Sequence, residues 1–168
     1  MLSLNKIKRI NPINLNFKEK LVKIKRVCKV TKGRRDFSFS SIVVKGDCQG
    51  IVGYGMGKSR DISESIKKAS EKANKKLIIV PIINGTIPYK INFKYCSTRI
   101  NLYPAKIGTG VIAGLSARII FELAGIENIF AKFFGSTNIL NCLKATYNAL
   151  LQLKNDFEII KLNKNGIF

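Results

Sequence analysis

Gly53, Gly55, Gly57, Lys58 and Ser59 are the residues of this chain whose types and spacing come nearest to a chemistry. Glycines running into Gly-Lys-Ser could let backbone N–H groups close on the phosphates of a nucleotide while the hydroxyl reaches magnesium. Neither phosphate motif is complete. The Walker pattern needs a glycine where Val52 stands, and the dinucleotide fingerprint finds Lys58 and Arg60 at its third-glycine positions. A second stretch, Gly108-x-Gly110-x-x-Ala113, fits the relaxed fingerprint, but Pro104 parts it from the preceding strand-like run and too little chain follows for a six-stranded sheet. The alternating glycines have a plainer use. On a strand they share one face, so a ligand or another segment can approach the backbone closely there.

Other chemistry is scarce. The chain has no histidine, which removes the commonest general base and every Ser-His or Cys-His nucleophile pair. Cys28, Cys48, Cys96 and Cys142 form no C-x-x-C pair, so they read as buried or idle thiols rather than zinc ligands. No catalytic residue, metal or cofactor is expected.

Charge points to a partner. Thirty Lys and Arg against ten Asp and Glu leave +20 on 168 residues, a self-repulsion that a polyanion relieves. With 46% apolar residues, the chain can still build one core or two small ones. The longest apolar run, Leu77 to Ile83, is broken by Pro81 and too short to span a membrane. The first eighteen residues read as a basic tail, having neither a continuous apolar stretch nor a small-residue cleavage site.

The elements that must position these charges are legible in outline. Residues 19–32 alternate apolar residues with cations and predict a strand with a basic outer face. A cationic turn follows at 32–36, then strands at 37–44 and 51–56. Asp61 and Glu64 suggest a capping box for a helix with Ile62, Ile66, Ala69, Ala73 and Leu77 on its apolar face, lying on a three-stranded sheet. Its remaining faces carry lysines, with i,i+4 pairs expected at Glu64–Lys68 and Glu71–Lys75. After a break at Pro81 to Pro88, strands are expected at 87–93 and 98–103, a buried helix from about Thr109 to Leu123 with Gly125 as its left-handed cap, a strand at 129–134, and a last helix striped by Leu140, Leu143, Tyr147, Leu150 and Leu151. From Asn155 the polar end stays unplaced.

The chain resembles small-subunit ribosomal protein five of the bacterial and organellar type. The likeness rests on Val27 to Phe39 (VCKVTKGRRDFSF), Val43 to Lys58 (VVKGDCQGIVGYGMGK), Asn84-Gly85-Thr86, Gly108 to Gly114 (GTGVIAG), Leu123 to Ile126 (LAGI) and Gly135 to Asn138 (GSTN), and spans roughly residues 19 to 153. It implies an α+β fold of two small α/β modules: a double-stranded-RNA-binding-like domain of three antiparallel strands plus a helix over 19–81, and a C-terminal α/β domain over 86–154. Tails flank them at 1–18 and 155–168. The implied partner is small-subunit rRNA near the decoding region, with ribosomal proteins four and eight as neighbours. Protein three lies across the channel by which messenger RNA enters. The loop Lys29 to Arg35 would reach an RNA helix near the spectinomycin site, and Gly108, Thr109, Gly110 and Arg118 fall where the family meets protein four. Arg34, Ser97 and Ile139 depart from the family's usual glycine, glycine and proline.

The reading that follows is a non-enzymatic RNA-binding protein of a bacterial cytoplasmic ribosome, with an organellar ribosome as the alternative. Abundant Ile, Asn and Lys suggest an AT-rich genome such as a symbiont's. Arg26, Lys29, Lys32, Gly33, Arg34, Arg35, Lys58, Arg60 and Arg99 are the expected rRNA contacts, positioning the RNA through its phosphates. A nucleotide-binding enzyme and a stand-alone duplex-RNA regulator are the alternatives. Membrane-surface binding is disfavoured, because the basic helix lacks a large apolar face.

Overall fold

The structure, a computed structural model, describes residues 16–164. Most of the expected N-terminal tail, residues 1–15, lies outside them, as do residues 165–168.

Three long strands come first: β1 (Lys18–Thr31), β2 (Arg34–Gly46) and β3 (Ile51–Ser59). Lys32-Gly33 closes the first hairpin with Gly33 at φ 73°, a conformation that costs glycine little. In the second turn Asp47 Oδ1 accepts from the N–H groups of Gln49 (2.7 Å) and Ile51 (2.9 Å), an Asx-type bend. Helix α1 (Ile62–Asn74) follows. Its start differs from the expected capping box. Asp61 is the N-cap residue but its side chain makes no capping bond; Glu64 instead accepts from Ser59 Oγ and pairs with Lys68 at 2.6 Å.

The helix also ends sooner than its apolar spacing suggested. Leu77 leaves it to open β4 (Leu77–Ile79), because Leu77 and Ile78 are buried by pairing with the free edge of β3, through Gly53↔Leu77 and Val52↔Ile78. The first sheet therefore has four antiparallel strands, in order β1-β2-β3-β4, rather than three. With Lys75 moved to the C-cap, the expected Glu71–Lys75 pair does not close; Glu64–Lys68 does.

α1 is the segment that approaches the glycine face. A β-carbon on Gly53 would stand 2.7 Å from the Ala73 carbonyl oxygen, and one on Gly57 2.7 Å from the Ala69 nitrogen. Ser65, Ala69 and Ala73 are buried at that contact, where small residues on both sides let backbone meet backbone. The face that might have held a phosphate is filled by the protein's own helix.

The second half builds a mixed sheet in order β5-β6-β8-β7 from β5 (Ile91–Tyr95), β6 (Thr98–Pro104), β7 (Val111–Ile112) and β8 (Ile129–Gly135), with β7 parallel to β8 and the rest antiparallel. The first strand starts four residues later than expected, after an Ile83↔Thr86 bridge around the Asn84-Gly85 turn. Helix α2 (Leu115–Ala124) is shorter than the expected 109–123. Gly108 and Gly110 take φ of 90° and 72°, outside the helical region, and Gly114 is extended at the N-cap. Gly125 caps it at φ 81° in the left-handed region, as the sequence indicated. Helix α3 (Ile139–Lys164) runs on through the polar stretch that had no placement. No helix among the described residues is long and apolar enough to cross a membrane.

One apolar core joins both halves. The face of the first sheet turned away from α1 contributes Val44, Val52 and Tyr54 to the same cluster as Phe121 and Leu123 of α2 and Leu143 and Leu150 of α3. Backbone bonds from Cys48 N to Leu123 O (2.9 Å) and from Gly50 N to Ala124 O (2.8 Å) stitch the β2–β3 turn to the end of α2.

Candidate nucleic-acid interface

The pairing of β2 creates an exposed cationic feature. β2 bonds β3 only between Phe39 and Gly46, whereas it bonds β1 all the way to Arg34↔Thr31. Beyond Phe39 the hairpin continues as a two-stranded arm, about 17 Å of strand at ~3.4 Å per residue, with the Lys32-Gly33 turn at its tip. From Lys23 to Phe39 the sequence supplies seven cations, Lys23, Lys25, Arg26, Lys29, Lys32, Arg34 and Arg35, and a single carboxylate, Asp36.

An arm this narrow has no core of its own, so side-chain contacts must stiffen it. The Arg26 guanidinium lies 3.9 Å above the ring of Phe37, a cation–π contact worth about 0.5–1 kcal/mol at an exposed site. Arg34 Nε pairs with Asp36 Oδ1 at 2.9 Å, and Thr31 Oγ1 donates to the Arg34 carbonyl at 3.4 Å. Gly33 meets nothing within 4 Å of where a β-carbon would stand, so its positive φ is what favours glycine there.

The register divides the charges between two faces. Arg26 and Arg35 share one with Phe37 and Val30, while Lys25, Lys29 and Arg34 share the other. Lys25 and Lys58 both lie opposite Ser40, so a row Lys25–Ser40–Lys58 crosses the root of the arm, with Arg60 exposed just after it. The expected contacts Arg26, Lys29, Lys32, Gly33, Arg34, Arg35, Lys58 and Arg60 thus all belong to the first sheet or its edge. Arg99 does not join them; it is exposed on β6 of the second sheet. Lys23 and Lys25, exposed on β1 and alternating with Val22 and Ile24, add to this charge although they are not among the expected contacts. Lys45 is a cation the surface cannot use: buried, it binds Glu19 at 2.7 Å and Asn74 at 3.0 Å.

Gly108, Thr109, Gly110 and Arg118 are brought together at the far end of the second sheet. Asn128, buried, accepts from Gly108 N at 3.0 Å and Gly110 N at 3.1 Å through one oxygen. These N–H groups are consequently spent on a side chain and form no phosphate cradle. Arg118 Nη2 donates to the Val111 carbonyl at 3.4 Å, fastening α2 to β7. Around them Ile107, Ile112 and Leu115 are exposed, Ile107 at 82%. Asn128 had not been singled out; its role needs the loop and β8 side by side. Cys142 is the buried cysteine and Cys28 and Cys96 are exposed; no group of three metal-ligating residues occurs among the described residues.

The N-terminal domain model of ribosomal protein S5 matches residues 17–81, and its C-terminal domain model matches residues 93–163. The chain belongs to the ribosomal protein S5 family. Among the S5 relatives, small ribosomal subunit protein uS5 of Karelsulcia muelleri is 50% identical over 149 residues, covering 88% of this chain and 87% of its own. The uS5 of Flavobacterium psychrophilum is 45% identical over 153 residues, 91% and 88% of the two chains, and that of Chloroflexus aurantiacus 46% over 148 residues, 88% and 83%. The cationic arm and α1 fall inside the S5 N-terminal match, and the Asn128-clamped loop inside the C-terminal one.

Proposed function

We propose that this chain is a structural constituent of the small ribosomal subunit and binds small-subunit rRNA through the β1–β2 arm and the row at its root. Membership in the S5 family and relatives named small ribosomal subunit proteins support the assembly. The carrying observation is the arm itself: Lys29, Lys32, Arg34 and Arg35 against one carboxylate on a ribbon that projects past the sheet, with Lys23, Lys25 and Arg26 at its root. Phosphate contacts from such a ribbon position RNA by shape and charge.

The finer reading places the arm on an RNA helix near the decoding region. The loop at Gly108 to Gly110 with Arg118 would meet ribosomal protein four, with proteins eight and three as further neighbours near the path of messenger RNA. Exposed Ile107, Ile112 and Leu115 favour a protein at that loop, since an apolar rim suits a protein contact better than a phosphate backbone. The chain acts without catalysis on a bacterial-type ribosome, and its Ile-, Asn- and Lys-rich composition fits an AT-rich genome. The nucleotide-enzyme alternative loses its site to α1.

Two measurements test this. The tagged chain should co-sediment with small subunits in its native cell, and a free pool would favour a stand-alone regulator. With about eight phosphates neutralised, log K for small-subunit RNA should fall against log salt with a slope of roughly −6 to −7. A slope near zero would sink the proposal.

A further inference from the structure

Among the described residues, no element covers the outer face of the second sheet. In the β6–β8 register Tyr103 pairs with Phe130, Asn101 with Lys132 and Arg99 with Phe134, and these side chains share one face. Their neighbours Ile100, Leu102, Ile129 and Ala131 point the other way and are buried in the core. Along β8 the outward order is aromatic, cation, aromatic, at about 7 Å between successive members. Phe130 and Phe134 stay 41% and 49% exposed, and Tyr103 stands with its ring centroid 6.1 Å from that of Phe130.

Charge decides what such a face can take. None of the ten carboxylate residues of the chain lies in β5, β6, β7 or β8, while Lys132 stands between the rings of Phe130 and Phe134, Arg99 lies opposite Phe134, and Lys94 pairs with Arg99 from β5. Exposed aromatics alone would suit a protein. Aromatics interleaved with cations, with no acid beside them, suit a polyanion that also offers flat π faces. A duplex hides those faces in its stack, so the fit is to unpaired nucleotides.

We propose that this sheet face is a second RNA contact, where bases of unpaired nucleotides stack on Phe130 and Phe134 while Arg99 and Lys132 take the adjoining phosphates. The inference rests on the RNA-binding reading above but uses a surface separate from the arm. It gives Arg99 a place, which the arm does not.

The test uses the full chain, a labelled 12-nucleotide oligoadenylate and a 16-base-pair RNA duplex. Phe130→Ala/Phe134→Ala should weaken oligoadenylate binding at least tenfold with little change in salt slope, and leave duplex binding unchanged. Arg99→Ala/Lys132→Ala should reduce the slope on oligoadenylate by about 1.4. If the double alanine variant loses its fold, Phe134→Leu keeps an apolar side chain without a ring and should weaken oligoadenylate binding in the same direction. Unchanged oligoadenylate binding by these variants overturns the proposal. So does loss of a protein partner in the aromatic variants while both RNAs bind normally. A Lys29→Ala/Arg35→Ala arm variant separates the two readings: if it too leaves duplex binding unchanged, the RNA reading itself fails.

Discussion

The rings of Tyr54 on β3 and Tyr147 on α3 meet edge to face, their centroids 4.8 Å apart at 74°. The joint spans the two halves of the chain, and the Tyr147 hydroxyl completes it by donating to the Lys76 carbonyl at 3.0 Å. Burial, with Tyr54 alongside, pushes the Tyr147 phenol up to about 12. A phenol raised above its unfolded value near 10 contributes stability that is whole below pH ~10 and lost as pH rises toward 12, because the unfolded chain releases the proton first. Urea midpoints should therefore fall between pH 10 and 12. Tyr147→Phe should cost about 1 kcal/mol at pH 7 and show a shallower alkaline decline than the parent.

Gly55 tests the packing of α1. A methyl there would overlap the Ala69 carbonyl and stand 2.5 Å from the Ala73 nitrogen, atoms that move only if the whole helix moves. Gly55→Ala should destabilise by roughly 2–4 kcal/mol in urea unfolding. Gly33→Ala, where only φ is at stake, should cost about 1–2 kcal/mol. Equal costs would mean that α1 does not lie on the glycine face.

On the arm, Asp36 is the carboxylate paired with Arg34, and under the proposed function it would compete with RNA for that guanidinium. Asp36→Asn removes an exposed pair worth at most about 1 kcal/mol and frees a guanidinium. Binding to small-subunit RNA should tighten, and the salt slope should steepen by roughly 0.7–0.9 if Arg34 gains a phosphate. Lys29→Ala and Arg35→Ala should each flatten it by a similar amount. Filter binding across a salt series reads both signs.

Asn128 holds the loop between β6 and β7 from beneath. Asn128→Ala leaves the N–H groups of Gly108 and Gly110 without their acceptor, at a cost of about 1–3 kcal/mol. Hydrogen exchange at those two amides should quicken well before the β-sheet amides do. Exchange that stayed as slow as in the parent would place their protection elsewhere.

Much of this was readable from residue order where local chemistry decided the outcome. Gly125 after an apolar run announced a left-handed cap, and Gly33 marked a turn, although the turn was expected over 32–36 and Arg34 to Asp36 instead pair with β1 as the start of β2. Reading failed where partners distant in sequence decided. Leu77 continued the helical spacing of Ala69 and Ala73, yet an open edge on β3 drew it into a strand. Val111 and Ile112 looked like the start of an apolar helix, but pairing with Ile129 and Phe130 made them a strand. The cations were plain; their sharing of faces was not. Register sets Lys25 in one row with Lys58 across Ser40, and the alternation of faces along β8 parts Phe133, half-buried, from Phe134, exposed.

The common core carries a consequence for how the protein is born. Val44, Val52 and Tyr54 pack in one cluster with Phe121 and Leu123 of α2, yet some sixty residues of chain separate β3 from that helix. At ~5–20 residues per second the nascent first sheet waits roughly 3–12 s before α2 exists to cover it. For that interval its strands can pair while the face they turn from α1 stays bare.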